Sequence, residues 1–187
     1  MAHITLPEGL PGIIGPLTAY RATEQHLDGL ANTLMCGPSS LSKAERELIA
    51  TYVSHGNECY FCWNSHAAVA RNLFGERASV VDEVLCDLGT AKIDDKLRAL
   101  LVIAGKVRQS GQLVTAADVA AARAAGADDQ AIHDTVLISA MFGMFNRYVD
   151  GLATTAPHDP AVYETIGKRI ATKGYGSMFR EREQRSQ

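Results

Sequence analysis

The sequence predicts an all-α, single-domain helical bundle, and three observations carry that reading. Apolar residues recur three and four positions apart along most of the chain. Helix-starting residues such as Ser42, Asp94 and Thr115 stand before these stretches, and Gly56, Gly75 and Gly126 close them. No stretch alternates with the period of two that a half-buried strand needs. The 187 residues suffice for a real core, and 47% apolar with 21% charged residues is ordinary globular composition.

The elements follow in order. Residues 1–16 carry Pro7, Pro11 and Pro16 and read as an extended arm. A helix is expected over about 17–35, ending before Gly37 and Pro38. Ser42 with Glu45 makes a capping box, and Leu48, Ile49, Tyr52 and Val53 follow at helical spacing. That helix closes at His55, where a cationic ring is favourable, and Gly56. Asn57 is expected to cap the next helix, which runs to about Phe74, and a shorter one follows near 76–87. Asp94 opens a helix with Leu97, Leu100, Leu101, Ala104 and Val107 on one face. Thr115 opens an Ala-rich helix that stops at Gly126. A longer helix covers about 128–149, where Ser139, Ala140 and Gly143 allow a neighbouring helix to come close. Pro157 and Pro160 break the chain before a last helix over about 161–172. The expected layout is an arm (1–16), one helical domain (17–174) and a charged tail (175–187). A degenerate internal repeat is also visible. Ser42, Arg46, Leu48 and the stop at Gly75 correspond in order to Asp94, Arg98, Leu100 and the stop at Gly126, with Ala99 in place of Glu47 and no cysteines in the second copy.

Composition excludes several function classes. The net charge of −3 provides no basic footprint for nucleic acid. No apolar run approaches a membrane span, and residues 1–10 lack the pattern of a signal peptide, so a cytoplasmic protein is expected. In a reducing compartment the 4 cysteines are not structural disulfides. Cys36 and Cys86 are expected to be buried as small hydrophobes.

Cys59 and Cys62 are different. They stand three apart, and His66 stands four beyond Cys62, which places all three on one helix face. A pair three apart on a helix has its Cα atoms about 5 Å apart, inside the span that a disulfide tolerates. Cys59 is expected in the first turn, where free N–H groups and the helix dipole favour a thiolate. His66 stands where it can exchange a proton with Cys62. Attack by one thiolate on a peroxide yields a sulfenic acid, and a neighbouring thiol condenses with it to a disulfide. Glu47 is placed to fold back beside the thiols through a hairpin at residues 55–57. Tyr60, Phe61 and Trp63 are expected to pack around the site and limit water. Two other readings use the same residues: a zinc-binding or structural module with Cys59, Cys62 and His66 as ligands, and a thiol redox sensor without turnover.

These residues, Glu47 and then Cys59-x-x-Cys62-x-x-x-His66, resemble the alkylhydroperoxidase D-like group of the carboxymuconolactone decarboxylase superfamily. The segments Asn57-Glu58-Cys59-Tyr60-Phe61-Cys62 and Phe145-Asn146-Arg147-Tyr148-Val149-Asp150-Gly151-Leu152 resemble its uncharacterised peroxidase-related branch, and the likeness covers about 41–152. The resemblance implies a homo-oligomer (dimer, trimer or hexamer) and thiol-dependent reduction of alkyl hydroperoxides or hydrogen peroxide by an external dithiol or protein-thiol reductant, with no cofactor. It implies that Cys62 is the peroxidatic cysteine, that Cys59 is its disulfide partner and proton donor, and that His66 and Glu47 form the proton relay. Helix position alone favours a thiolate at Cys59. The family and the nearness of His66 instead assign attack to Cys62, with an exposed Cys59 resolving it. Where characterised peroxidases of the family carry a histidine before the second cysteine, this chain has Phe61. The decarboxylase branch generally lacks the cysteine pair, so lactone decarboxylation is not expected.

Overall fold

The computed structural model describes residues 1–175, and all regular structure among them is helical. Most of the expected charged tail, 176–187, lies outside the described residues.

The chain begins with a short helix, α1 (Ile14–Ala19), inside what the prolines marked as an extended arm. Pro16 is tolerated there because a first-turn residue has no intrahelical partner for an N–H. Tyr20 breaks the path with φ −118° and ψ 69°, and α2 (Arg21–Cys36) continues in a new direction. The single helix expected over 17–35 is therefore two. The break serves two hydrophobic clusters. α1 buries Ile14 beside Cys59, Cys62 and Tyr163, while α2 buries Ala31, Leu34 and Met35 in the main core.

α3 (Lys43–Gly56) is the central helix. Ser42 and Glu45 form the capping box, with the Ser42 N–H donating to Glu45 Oε2 at 2.7 Å. Such a cap contributes about 1 kcal/mol. Leu48, Ile49, Ala50 and Val53 are fully buried, and α3 packs on α4 (Tyr60–Phe74), α6 (Asp95–Gln109) and α8 (Asp129–Gly151). After α4, a 3₁₀ turn (Gly75–Arg77) leads into α5 (Ser79–Cys86), which replaces the one helix expected near 76–87. α7 (Ala116–Ala124) follows α6 and packs on it.

α9 (Pro160–Lys173) starts at Asp159, whose carboxylate accepts from the Ala161 N–H at 2.9 Å. It lies very close to α4. A Cβ at Gly167 would come within 2.7 Å of the Ala68 carbonyl carbon, so only glycine permits this approach. Of the three α8 residues expected to allow close approach, Ser139 and Gly143 are buried. Ala140 is exposed, and the neighbour of Gly143 is Arg147 of the same helix.

Two cysteines also depart from expectation. Cys86 is exposed and Cys36 is half-buried. Each is the last residue of its helix, and the inward face of α5 is already filled by Val80, Val81 and Val84. No helix among the described residues is long and apolar enough to cross a membrane.

Candidate functional site

The turn between α3 and α4 sets the thiols in place. Asn57 does not cap α4; it is the C-cap of α3, and its N–H returns to Val53 O. Glu58 takes a left-handed conformation with φ 59°, which reverses the chain within one residue. Cys59 then becomes the N-cap of α4, its N–H donating to Ser54 O at 3.1 Å and its carbonyl accepting from the Trp63 N–H. Asn146 of α8 clamps this turn from the side. It donates to Ser54 Oγ at 3.0 Å and accepts from Asn57 Nδ2 at 2.8 Å.

With Cys59 at the N-cap, Cys62 occupies the third helical position, and the two side chains face one another as capping-box partners do. The cysteines approach to 3.3 Å without a disulfide bond between them. Cys59 is fully buried and Cys62 is only 3% exposed, so Cys59 is not the exposed thiol expected. Hydrogen bonding with Cys62 holds the Cys59 thiol above its ordinary range, and burial and the charge on Cys62 add to this. The expectation from helix position, a thiolate at Cys59, is therefore reversed. Hydrogen bonding with the Cys62 sulfur and burial make Cys59 hold its proton more tightly than an ordinary thiol, and they outweigh the Cys62 backbone N–H at the start of α4, which favours the thiolate.

Glu47 reaches the site from the middle of α3. Its Oε2 lies 2.8 Å from His66 Nδ1, and both residues are buried. The Phe142 ring stands edge-on to His66, with centroids 4.4 Å apart. His66 and Cys62 both line a cavity of about 80 Å³ whose other walls include Ile13, Ile14, Leu17, Ile166 and Ile170. The walls are almost wholly apolar, apart from Asp28, Ser65 and the site residues themselves. Phe61 is buried against Gly12 of the N-terminal segment and closes one side. Tyr60 remains 40% exposed and gives less cover than expected. The structure thus brings together Glu47 with His66, Cys59 with Cys62, and Cys62 with His66 around one cavity. Among the described residues, no three His, Cys, Asp or Glu side chains are grouped to hold a metal ion.

Sequence reasoning missed Tyr175. Gly174, at φ 73°, turns the chain back after α9, and Tyr175 enters the site at the edge of the expected tail. Its hydroxyl donates to Glu47 Oε1 at 2.6 Å and lies 3.1 Å from His66 Nδ1. Its ring stacks on His66 at 6.0 Å with a 19° interplanar angle. The glycine punctuation at 174 was the one local signal; nothing near Tyr175 in the chain marks the contact.

The carboxymuconolactone decarboxylase family model matches residues 19–88, the stretch that holds Glu47, Cys59, Cys62 and His66. No curated protein matches the chain. The chain is similar in structure to an uncharacterised peroxidase-related protein from Ralstonia eutropha JMP134 described as an alkylhydroperoxidase AhpD core. The TM-score is 0.74 at 27% identity, over 84% of this chain and 80% of that one. It is also similar to an uncharacterised peroxidase-related protein from Silicibacter sp. TM1040. There the TM-score is 0.74 at 28% identity, over 87% of this chain and 94% of that one.

Proposed function

We propose that this chain, on its family-model match and its likeness to peroxidase-related structures, is a thiol-dependent peroxidase of the alkylhydroperoxidase D-like group of the carboxymuconolactone decarboxylase superfamily. The single observation that carries the reading is the Cys59–Cys62 pair, 3.3 Å apart, with Cys62 opening on an apolar cavity beside a His66–Glu47 hydrogen bond.

The chemistry balances with the groups present. His66 takes the proton of Cys62 and leaves a thiolate. That thiolate attacks one oxygen of the hydroperoxide, the O–O bond breaks, and the sulfur is oxidised to a sulfenic acid. The departing alkoxide takes the proton of Cys59, the thiol whose pKa is raised by hydrogen bonding with Cys62 and by burial. The Cys59 thiolate then attacks the sulfenic sulfur. A disulfide forms, and the hydroxide that leaves takes the proton from His66 to become water. An external dithiol or protein thiol restores both cysteines and is itself oxidised to a disulfide. The net reaction converts a hydroperoxide and a dithiol to an alcohol, water and a disulfide. Hydrogen peroxide gives water in place of the alcohol.

The test is steady-state consumption of hydrogen peroxide and of small alkyl hydroperoxides with several dithiol donors. Turnover by the wild type and its loss in Cys62→Ser is the expected result. Full activity in Cys62→Ser overturns the proposal. A reversible Cys59–Cys62 disulfide without turnover replaces it with a redox sensor.

A further inference from the structure

The proposed relay contains a buried carboxylate, and a buried carboxylate is tolerated only when its oxygens find donors. Glu47 is 2% exposed. Its Oε2 is satisfied by His66 Nδ1 at 2.8 Å. Its Oε1 is satisfied by the Tyr175 hydroxyl at 2.6 Å, from a residue 128 positions away in the chain. The same hydroxyl oxygen lies 3.1 Å from His66 Nδ1.

The hydroxyl has one proton, and that proton goes to Glu47. Its oxygen can then only accept from Nδ1. Nδ1 is thus faced by two acceptors, the Glu47 and Tyr175 oxygens. Both favour the tautomer with the proton on Nδ1 and leave the lone pair on Nε2. The ring cannot rotate freely away from this arrangement, since Tyr175 stacks on one side and Phe142 stands edge-on at 4.4 Å. Burial and the Glu47 carboxylate hold the phenol well above its ordinary range, so Tyr175 stays a donor through the neutral range.

We propose that Tyr175 is a positioning residue of the thiol site, whose hydroxyl holds Glu47 as the acceptor that fixes His66 with its Nε2 lone pair free to take the Cys62 proton. The inference rests on the peroxidase reading for its consequence in turnover, but its geometry concerns only thiol activation. Tyr175 acts through Glu47 and His66 and not on a reacting sulfur. Among the described residues, the other titratable groups around it are Cys62 on α4 and Cys36 on α2, and Asp28 of α2 lines the same cavity. None of these supplies a second donor to Glu47 Oε1 in place of the phenol.

The experiment measures the pH dependence of Cys62 alkylation by iodoacetamide, read by peptide mass spectrometry, so that it does not depend on peroxide turnover. Wild type, Tyr175→Phe, Glu47→Gln and the double variant are compared. Tyr175→Phe keeps the ring and removes only the hydroxyl. The expected result is an altered pH profile and about a tenfold slower reaction near neutrality for each single variant. The double variant is expected to be no slower than Glu47→Gln alone, since both lesions act on one chain of contacts. Peroxide reduction is expected to fall by a similar factor in kcat with KM unchanged. Nitrogen-15 NMR of wild-type His66 is expected to show the Nδ1–H tautomer, which tests the arrangement without any variant.

A wild-type profile in Tyr175→Phe overturns the inference. So does a fully additive double variant, or His66 found as the Nε2–H tautomer. If the wild type turns over no peroxide while the alkylation profiles respond as expected, the peroxidase reading fails and the role of Tyr175 stands.

Discussion

The pair α3–α4 and the pair α6–α7 begin alike and end in different chemistry. Each first helix is capped by a side chain, Ser42 or Asp94. Each then uses an arginine one turn in to gather carbonyls of the preceding segment. Arg46 donates to Leu34 O at 2.8 Å and Gly37 O at 2.9 Å; Arg98 donates to Leu88 O and, at 2.7 Å, to Ala91 O. The second helices differ at three matched positions. In α7 the N-cap is Thr115 and the third residue is Asp118, which close an ordinary capping box, with Ala122 one turn beyond. In α4 the same three places hold Cys59, Cys62 and His66. The residue matched to Glu47 is Ala99. Capping-box geometry brings two side chains face to face whatever they are. With Thr and Asp it stabilises a helix end. With two thiols it forgoes the side-chain cap and sets two sulfur side chains 3.3 Å apart.

The contrast is broken most severely at the sulfurs. Cys62→Ser is expected to lower peroxide turnover by roughly a thousandfold or more, as loss of a nucleophile does. Cys59→Ser is expected to abolish multiple turnover yet still form one sulfenic acid per chain, detectable by trapping with dimedone. Next, His66→Ala removes the proposed base, and a loss of about 10²-fold or more is expected in the rate of sulfenic acid formation.

The surroundings of the thiol pair and the cap of α7 also divide the response to pH. Cys59, Tyr163 and Tyr175 all hold their protons more tightly in the fold than their ordinary values of 9.0 for the thiol and 10.0 for the phenols. Burial is the first cause for Tyr163, which is pushed up to about 12. The unfolded chain releases these protons first. Their contribution is whole below about pH 9 and is lost as pH rises beyond it. Asp118 has the opposite sign. Hydrogen bonding to Lys106, then to the Thr115 backbone, lowers it from 3.8 to about 2. Its contribution is present above the ordinary value and lost as pH falls through about 2. Thermal melts across pH are expected to show Cys59→Ser flattening the onset of the alkaline limb alone and Asp118→Asn flattening the acid limb alone.

The smallest effect belongs to the cap of the inert half. Thr115→Ala is expected to cost about 1 kcal/mol in denaturant unfolding. It should leave peroxide turnover unchanged.

How much of this could be read along the chain follows from distance in sequence. The capping box at Ser42 and the cap at Thr115 were plain, because a cap is a bond between residues three apart. The start of α4 was misplaced by two residues. Asn57 is as good a cap as Cys59 is a poor one, and the choice was made by the Ser54 carbonyl, the left-handed Glu58 and the Asn146 clamp from α8. The break at Tyr20 was likewise unmarked, since it answers to two separate hydrophobic clusters.

The helical class and the spacing of Cys59, Cys62 and His66 are local consequences of the residues, because a helix repeats every few positions and needs no distant partner to set its faces. Burial of Cys59, the upward shift of its thiol, and the meeting of Glu47, His66 and Tyr175 come from packing α3, α4, α8 and the turn after α9 against one another. Hydrogen bonds across 19 and 128 residues depend on the path of every helix between them, and no local propensity encodes that path.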